Sequence, residues 1–472
     1  MKPHPQPMSA VDTAWLRMEN DANLMVIGAV LILEDPVDLS LLKQRLQERL
    51  LKFDRFRQKV IRTNGKAYWI EDEHFHIDHH VHLIGLPGSD RREDLQQLAG
   101  DLVSTPLSFT HPLWQIQVVE KFQGGSALIF RIHHCIADGI SLVRVMLSLT
   151  DIGAVPLPDE PEATQGHSLL GDLVAPAVHM LEQGLHLSQE LLHEGIDLVE
   201  HPQHLLEVAR EGTSVAAEIA RIAALPTDPA TCFKGALTGR KRVAWAESLP
   251  LAEVKHTAVT LGATINDVLL AATTGALRRY LLNHEAELAF EDLHVAVPFN
   301  LRPPDQPITQ LGNHFGLVIV ALPVGIYDVM SRFEKVRAAM VNLKKSYQAQ
   351  VFYGLLGVLG KGPDILEQTA LEVLSKKASL VMTNVPGPKH PLYLAGSKVK
   401  QPIFWVPQSG EVGVGLSILS YHESVQFGVV ADAALIPDPQ ALVEGFVAAL
   451  HELKHEAANH RQDIPFPPQS SQ

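Results

Sequence analysis

An apolar strand that runs into a histidine pair is the feature that most constrains how this chain folds. Residues 126–132 are almost entirely apolar and long enough for a strand. The heptapeptide His-His-Cys-Ile-Ala-Asp-Gly follows at 133–139, and residues 140–150 are again mostly apolar. Asp138 is a good helix start, because its carboxylate can accept the free N–H groups of a first helical turn. The pattern predicts a strand, a tight turn, and a helix that begins at Asp138 and Gly139.

The two histidines of this pattern are predicted to point in opposite directions. Alternation along the strand places His133 and His134 on different faces. Both faces are largely apolar, so burial would disfavour the charged imidazolium and keep a histidine neutral, able to accept a proton. Asp138 either orients the His134 ring or turns away and holds the loop through a cation. The plainer interpretation is two core histidines beside an aspartate that caps a helix.

Length and composition limit the class of protein. A chain of 472 residues is long for one hydrophobic core, so two domains are expected. Its net charge of −14 argues against a nucleic-acid partner, which requires a basic face. Two cysteines, Cys135 and Cys232, are too few for a disulfide framework and fit a reducing cytoplasm. Without a signal-peptide pattern or a run of about 18 apolar residues, any membrane contact is expected to be peripheral.

Strand and helix patterns alternate in both halves of the chain, which is typical of a mixed α/β fold. Helices are predicted at 13–19, 38–51, 140–150, 250–261, 264–282, 327–350 and 437–455. Strands are predicted at 26–33, 59–62, 67–70, 114–122, 126–134, 242–247, 294–299, 315–324, 379–385, 403–406, 414–421 and 425–432. We expect similar α/β domains at 1–150 and 233–472, joined by a helical linker at 151–232.

A histidine-rich stretch at 74–83 is also predicted as a strand. Alternation would place His74, His76, His80 and His82 on one face. Histidines in a row can bind a metal ion. The opposite face is apolar and predicted to face the core, which leaves the histidines to water. We therefore favour a solvated strand face and expect no metal site.

Residues 169–225 carry the clearest helical periodicity of the chain. Val178, Leu185, Leu192 and Val199 recur every seven residues. A connector packed against the body of the protein is the first interpretation. A hydrophobic face that settles on a membrane or lipid droplet is the second, and the acidic character of the stretch weakens it.

Two polar positions in the second half are candidates for a site. Thr264 and Asp267 form a capping-box variant around Asn266, whose amide either donates to a developing oxyanion or belongs to the cap. Arg302 follows a buried strand, and a buried guanidinium needs a carboxylate partner. Asp138 is the expected partner; the alternative is a surface arginine that closes a loop.

Seven short motifs, taken in order, resemble the bacterial wax ester synthase/diacylglycerol acyltransferases. The His-His-x-x-x-Asp-Gly pattern alone resembles the signature of the wider CoA-dependent acyltransferase superfamily, which includes chloramphenicol acetyltransferase and peptide-synthetase condensation domains. The motifs are Asp-Thr-Ala-Trp-Leu at 12–16, Pro-Leu-Trp at 112–114, the histidine pattern at 133–139, Asn-Asp at 266–267, Val-Pro-Phe-Asn-Leu-Arg at 297–302, Gly-Asn-His-Phe-Gly at 312–316 and Thr-Asn-Val-Pro-Gly-Pro at 383–388. Val26 departs from the family, where many members carry histidine, so acceptor preference is expected to differ if that histidine contacts substrate.

The resemblance implies two chloramphenicol-acetyltransferase-like domains with a channel between them, in which long-chain acyl-CoA meets a fatty alcohol or a diacylglycerol. His134 would be the general base, with His133 secondary. Asp138 and Gly139 would shape the loop, Asp138 through Arg302, and Asn266 would steady the oxyanion or the alcohol. No cofactor or metal is implied, since acyl-CoA is a substrate. Peripheral contact with the inner membrane or lipid inclusions is expected. The alternatives are a same-fold transferase with a sugar, polyketide alcohol or amine acceptor, and a non-catalytic lipid-binding relative.

Overall fold

The computed structural model describes residues 5–63, 65–151, 225–284, 288–301, 311–343, 348–359 and 375–462. The helical linker predicted at 151–232 lies outside the described residues over 152–224, and Arg302 lies outside them as well. No helix in the described part of the chain is long and apolar enough to cross a membrane.

Helices and strands alternate along the described chain as the sequence predicts. The helices are α1 (Ala10–Arg17), α2 (Leu39–Arg49), α3 (Arg92–Val103), α4 (Gly139–Leu149), α5 (Leu251–Thr260), α6 (Ile265–His284), α7 (Val329–Leu343), α8 (Gln348–Leu359) and α9 (Pro439–Gln462). The strands are β1 (Gln6–Pro7), β2 (Val26–Leu33), β3 (Gln58–Thr63), β4 (Lys66–Glu71), β5 (Val81–Ile84), β6 (Trp114–Phe122), β7 (Gly125–His133), β8 (Lys241–Trp245), β9 (Leu249–Pro250), β10 (Leu293–Asn300), β11 (Phe315–Leu322), β12 (Leu380–Pro386), β13 (Tyr393–Leu394), β14 (Ser397–Trp405), β15 (Val414–Tyr421) and β16 (Ser424–Asp432).

Side-chain caps account for the predicted helix starts. The Ser9, Asp38 and Asp138 side chains accept backbone N–H groups in the first turns of α1, α2 and α4. At α6 the Thr264 hydroxyl accepts the Asp267 N–H at 3.2 Å, and the Asp267 carboxylate accepts the Thr264 N–H at 2.9 Å. This reciprocal pair confirms the predicted capping box.

The stretch at 74–83 is not one strand, so that prediction was wrong. Residues 77–79 form a 3₁₀ turn, and only β5 is extended. The turn breaks the two-residue period on which the face assignment depended. His80 is 1% exposed and stacks between Phe75 and Trp114, with ring centroids 5.0 and 4.3 Å away. Among the described residues no three His, Cys, Asp or Glu side chains gather into a metal site.

Two helices of the structure differ from the predictions. The helix predicted at 327–350 is described as α7 and α8, on either side of residues 344–347, and α8 extends to Leu359. Helix α3 was not predicted. Its buried face includes Gln96 and Gly100 beside apolar residues, which weakens the apolar periodicity that reveals a helix.

The sheet of the first half is completed by strands from the second half. Its order is β13-β14-β2-β7-β6-β5, and β14 runs antiparallel to β2. The second large sheet has the order β11-β10-β12-β15-β16-β8, with β9 on β16. Strands β1, β4 and β3 form a small third sheet. The two halves of the sequence therefore share one sheet instead of closing separate ones.

Four apolar clusters hold these layers together. The largest lies between the second sheet and helices α5, α6, α7 and α9, and another lies under the first sheet against α2 and α4. A third joins the first sheet and α3 to β8 and β16. The smallest joins the two halves of the sequence near the end of β7. Its buried members are Val11, Ala14, Trp15, Met18, Met25, Phe315, Tyr353 and Leu356.

Candidate active site

His134 follows the last residue of β7 and lies beside the cluster that joins the two halves. Its backbone N–H donates to the Met25 carbonyl at 2.7 Å, which ties it to the start of β2. Its ring stacks on Trp15, with centroids 4.2 Å apart and planes 14° apart, and its centroid is 5.4 Å from that of Phe315. His134 is only 4% exposed, so its ring is enclosed by aromatic side chains from α1 and β11.

The His134 imidazole is neutral near pH 7. Burial lowers its pKa from 6.5 to about 4, against smaller raising effects from its own backbone, Asp138 and Asn313. The neighbouring His133 lowers it further. The sequence argument that a buried histidine here stays neutral is therefore confirmed in direction and in cause.

Asn313 connects the backbone of His134 to helix α1. Its Nδ2 donates to the His134 carbonyl at 2.8 Å and to Asp12 Oδ1 at 2.8 Å, and its backbone N–H donates to the same Asp12 oxygen at 3.0 Å. Burial raises the pKa of Asp12 above its ordinary value, and the hydrogen bonds from Asn313 oppose that rise. One amide thus fixes both the helix that carries Trp15 and the residue on which Trp15 stacks.

His133 points away from His134, as alternation predicts. Its Nδ1 accepts the Cys135 N–H at 3.0 Å, and its Nε2 lies 2.9 Å from Glu19 Oε2. Because Nδ1 accepts, the ring proton belongs on Nε2, towards the carboxylate. Burial raises the pKa of Glu19, but the contacts with His133 and the Met25 N–H outweigh it and leave that pKa below its ordinary value.

Asp138 works as a connector of backbone segments. Its Oδ1 accepts the N–H and the hydroxyl of Ser141, both at 2.7 Å, and its Oδ2 accepts the His314 N–H at 3.0 Å. The carboxylate therefore caps α4 and holds the loop before β11. The predicted pairing with Arg302 lies outside the described residues.

Gly139 begins the helix after the histidine pair, as the Asp138-Gly139 pattern predicted. It is the first residue of α4 and does not adopt the left-handed conformation that favours glycine. A Cβ added at this position would meet no atom within 4 Å. The backbone of the described chain thus gives no reason for glycine here, and open space adjoins the α-carbon.

Asn266 is hydrogen-bonded to a residue of β12. Its Oδ1 accepts Asn384 Nδ2 at 3.0 Å, which links the first turn of α6 to β12. No described hydrogen bond or ring contact joins this pair to His134. The structure thus brings together two of the motifs named from the sequence, at 266–267 and 383–388.

Cys135 and Val26 are both buried beside the histidine pair in sequence or in the sheet. Cys135 is fully buried, and burial raises the pKa of its thiol well above the ordinary value, so it is not a thiolate nucleophile. Val26 is buried and lies directly opposite His133 in the β2–β7 pair.

Sequence reasoning missed the residues that surround His134. Trp15, Asp12, Asn313 and Glu19 were not assigned roles, although the motifs at 12–16 and 312–316 contain three of them. Those motifs were the available signal. What they lacked was any indication that segments about 300 residues apart meet at one histidine.

The fold is shared with a solved wax ester synthase/diacylglycerol acyltransferase and with peptide-synthetase condensation domains. A wax ester synthase/diacylglycerol acyltransferase from Marinobacter aquaeolei VT8 superposes with a TM-score of 0.68 at 21% identity, covering 96% of this chain and 100% of that chain. The first condensation domain of the calcium-dependent antibiotic synthetase superposes with a TM-score of 0.61 at 15% identity, covering 97% of each chain.

Sequence comparison then places the chain in one family. Residues 8–269 match the wax ester synthase/diacylglycerol acyltransferase catalytic domain, and residues 311–454 match the WS/DGAT C-terminal domain. The chain therefore belongs to the wax ester synthase/diacylglycerol acyltransferase family, as the motifs implied, and it is an acyltransferase.

Named relatives agree with this membership. A Mycobacterium tuberculosis protein named "probable diacylglycerol O-acyltransferase" is 27% identical over 465 residues, which covers 94% of this chain and 95% of the relative. The O-acyltransferase WSD of Acinetobacter baylyi is 25% identical over 486 residues, covering 95% and 99%. The similarity extends over nearly the whole of each chain.

Proposed function

We propose that this enzyme transfers a long-chain acyl group from acyl-CoA to the hydroxyl of a lipid alcohol, forming a wax ester or a triacylglycerol, with His134 as the general base. The observation that carries this proposal is a neutral, buried imidazole whose backbone is fixed by Met25 and Asn313. A base that is unprotonated before the substrate arrives needs no prior loss of a proton.

The reaction is a single acyl transfer. The alcohol oxygen attacks the thioester carbonyl carbon while His134 takes the hydroxyl proton. The carbon–sulfur bond then breaks, and the imidazolium returns the proton to the leaving CoA thiolate. The products are an ester and free CoA, with no change of oxidation state and no requirement for a cofactor.

Nε2 is the ring nitrogen to which we assign the lone pair. Nδ1 of His134 is buried, and the residue's own backbone favours the charged ring. We place the ring proton on Nδ1, which leaves Nε2 as the acceptor. His133 is a support for the backbone in this scheme, because Cys135 and Glu19 engage both its nitrogens.

Asp138 and Gly139 have supporting roles in the proposal. Asp138 caps α4 and holds the loop before β11, and its charge favours the His134 imidazolium. The open space beside Gly139 is where a bound substrate would pass. Asn266, paired with Asn384, remains a candidate for steadying the oxyanion or the alcohol.

The acceptor class follows from the relatives. Their names refer to diacylglycerol O-acyltransferase activity and to wax ester synthesis. Both acceptors are poorly soluble alcohols, so we infer peripheral contact with a membrane or a lipid inclusion. Flotation with vesicles that contain diacylglycerol tests that contact: recovery of the protein with the vesicles is expected, and a protein that stays in the aqueous fraction contradicts it.

The deciding assay measures free CoA thiol released from palmitoyl-CoA with hexadecanol, with a diacylglycerol, or with no acceptor. Release that depends on a lipid alcohol is expected, and the faster acceptor names the preferred product. His134→Ala should reduce it by at least about 10²-fold, the usual contribution of a general base. Acceptor-independent release overturns the assignment of the acceptor. Unchanged release in the variant overturns the role of His134.

A further inference from the structure

We infer that Trp15 is a positioning residue for the acyl transfer, because its indole face stabilises the imidazolium that His134 becomes when it removes the hydroxyl proton. This inference rests on the proposed function. It is carried by the stacking geometry of the two rings and by the bonds that hold them together.

The geometry matches a cation–π interaction. The ring centroids of Trp15 and His134 are 4.2 Å apart, with the planes 14° from parallel. A cation within about 6 Å of an indole face is attracted by the ring quadrupole, and the attraction strengthens when water is excluded. Trp15 is 8% exposed and His134 is 4% exposed, so the pair is largely dry.

The reaction creates a charge where the ground state has none. His134 rests as a neutral ring because burial disfavours its protonated form. The proton from the alcohol makes it a cation in that same enclosed position. An interaction that is stronger with the imidazolium than with the imidazole raises kcat and not merely binding. The Trp15 face is such an interaction.

The stack is maintained by bonds that do not depend on the rings themselves. Asp12, one turn before Trp15 in α1, accepts from the Asn313 amide, and that amide also donates to the His134 carbonyl. Ser9 caps the same helix. The two rings are thus joined through a short chain of hydrogen bonds as well as by contact.

Fluorinated tryptophans at position 15 separate the electrostatic role from simple packing. Each fluorine weakens the negative face of the indole while the ring keeps nearly the same shape. We expect kcat to fall stepwise along the mono-, di- and trifluoro series, by about 3- to 30-fold in total, with KM for palmitoyl-CoA and the melting temperature unchanged. Trp245, which is buried in β8, provides the matched control: the same fluorinated tryptophans placed there should leave kcat unchanged.

Three outcomes are distinguishable in this experiment. A stepwise fall in kcat at position 15 alone supports the inference. An unchanged kcat across the series, in an enzyme that His134→Ala inactivates, overturns the role of Trp15 and leaves the proposed function intact. A wild-type enzyme without alcohol-dependent CoA release overturns both.

A second variant checks the same point through the pH profile. In Trp15→Leu, kcat should fall, while the apparent pKa of the acid limb of the kcat/KM profile stays at or below the wild-type value. If Trp15 only excludes water, solvent entry raises that apparent pKa towards 6.5, the ordinary pKa of histidine. An upward shift therefore overturns the electrostatic role.

Discussion

At the residue scale, the candidate site is one histidine that several segments hold in place. Met25 and Asn313 fix the backbone of His134, Trp15 covers its ring, and Asp138 secures the loops beside it. None of these contacts requires the ring to be charged. The site is therefore organised around a neutral imidazole, which is what the proposed general-base role requires.

The pH dependence of the reaction should reflect this burial. In the proposed mechanism His134 acts as a base when neutral, and its pKa is about 4, so protonation would remove the base only as the pH falls towards that value. Asp138 raises that pKa and His133 lowers it. We expect kcat/KM to be nearly constant from pH 5 to pH 8, with circular dichroism confirming that the protein stays folded. A half-maximal value near pH 6.5 would show that His134 is solvated in the free enzyme.

Exchange of Asp12 and Asn313 separates stability from catalysis. Asn313→Asp places a second carboxylate against the buried Asp12, which should lower the free energy of unfolding by about 3 kcal/mol or more. Adding Asp12→Asn restores a carboxylate–amide pair and most of the stability. Neither variant has a side-chain donor for the His134 carbonyl, so kcat should stay about tenfold low in both.

Thermal unfolding and CoA release measured on the two variants check this exchange. Full recovery of kcat in the double variant would show that the bond from Asn313 to the His134 carbonyl does not matter for the reaction.

At the element scale, β11 and α8 pack so closely that only glycine fits at position 316. A Cβ on Gly316 would lie 1.7 Å from the Ala349 carbonyl oxygen, which belongs to α8. Helix α8 in turn contributes Tyr353 and Leu356 to the cluster around Trp15. The position of this helix therefore depends on Gly316, and the surroundings of His134 depend on the helix.

Substitutions at Gly316 and Gly139 compare a glycine packed against backbone with one beside open space. Gly316→Ala should cost about 3 kcal/mol of stability, because backbone atoms must move apart. Gly139→Ala should leave stability unchanged or slightly raised, because the added methyl meets no protein atom and alanine favours a helix. If substrate occupies the space beside Gly139, that variant loses about tenfold in kcat/KM. These expectations are checked by the melting temperatures and the steady-state kinetics of both variants. Lower stability of Gly139→Ala would contradict the helical geometry of that residue.

Many helix and strand positions could be predicted from the sequence, because they depend on residues that are close together in the chain. Strand β2 and strand β15 have the predicted bounds, and the caps of α1, α4 and α6 are as expected. Such features depend on side-chain periodicity and on hydrogen bonds within a few residues. The strand prediction for 74–83 was wrong because a 3₁₀ turn interrupts the two-residue period. His80, which was predicted to face water, is buried by stacking on Phe75 and Trp114.

At the scale of the whole molecule, strand β14 makes the two halves interdependent. It pairs with β2 from Gly28 to Leu33 and so covers an edge that the first half would otherwise expose. Val243, Trp245 and Val430 of the second half also pack into the cluster under α3. The first half therefore lacks part of its sheet and part of its core when it stands alone.

Separate expression of the halves tests this dependence. A fragment of residues 1–232 should aggregate or remain unfolded, while co-expression with residues 233–472 should recover a folded complex. Size-exclusion chromatography and circular dichroism distinguish the cases. A folded monomeric fragment of residues 1–232 would show that the first sheet is stable without β14.

The sequence by itself determined the local structure and the family. Apolar alternation, helix caps and seven ordered motifs depend on neighbouring residues, and they identify an acyltransferase with a buried, neutral histidine. Only the tertiary structure decided what surrounds that histidine. Asp12 and Asn313 are 301 positions apart, and β14 enters a sheet that begins with β2. Such contacts depend on strand order and on the packing of distant segments, for which no short stretch of sequence carries a signal.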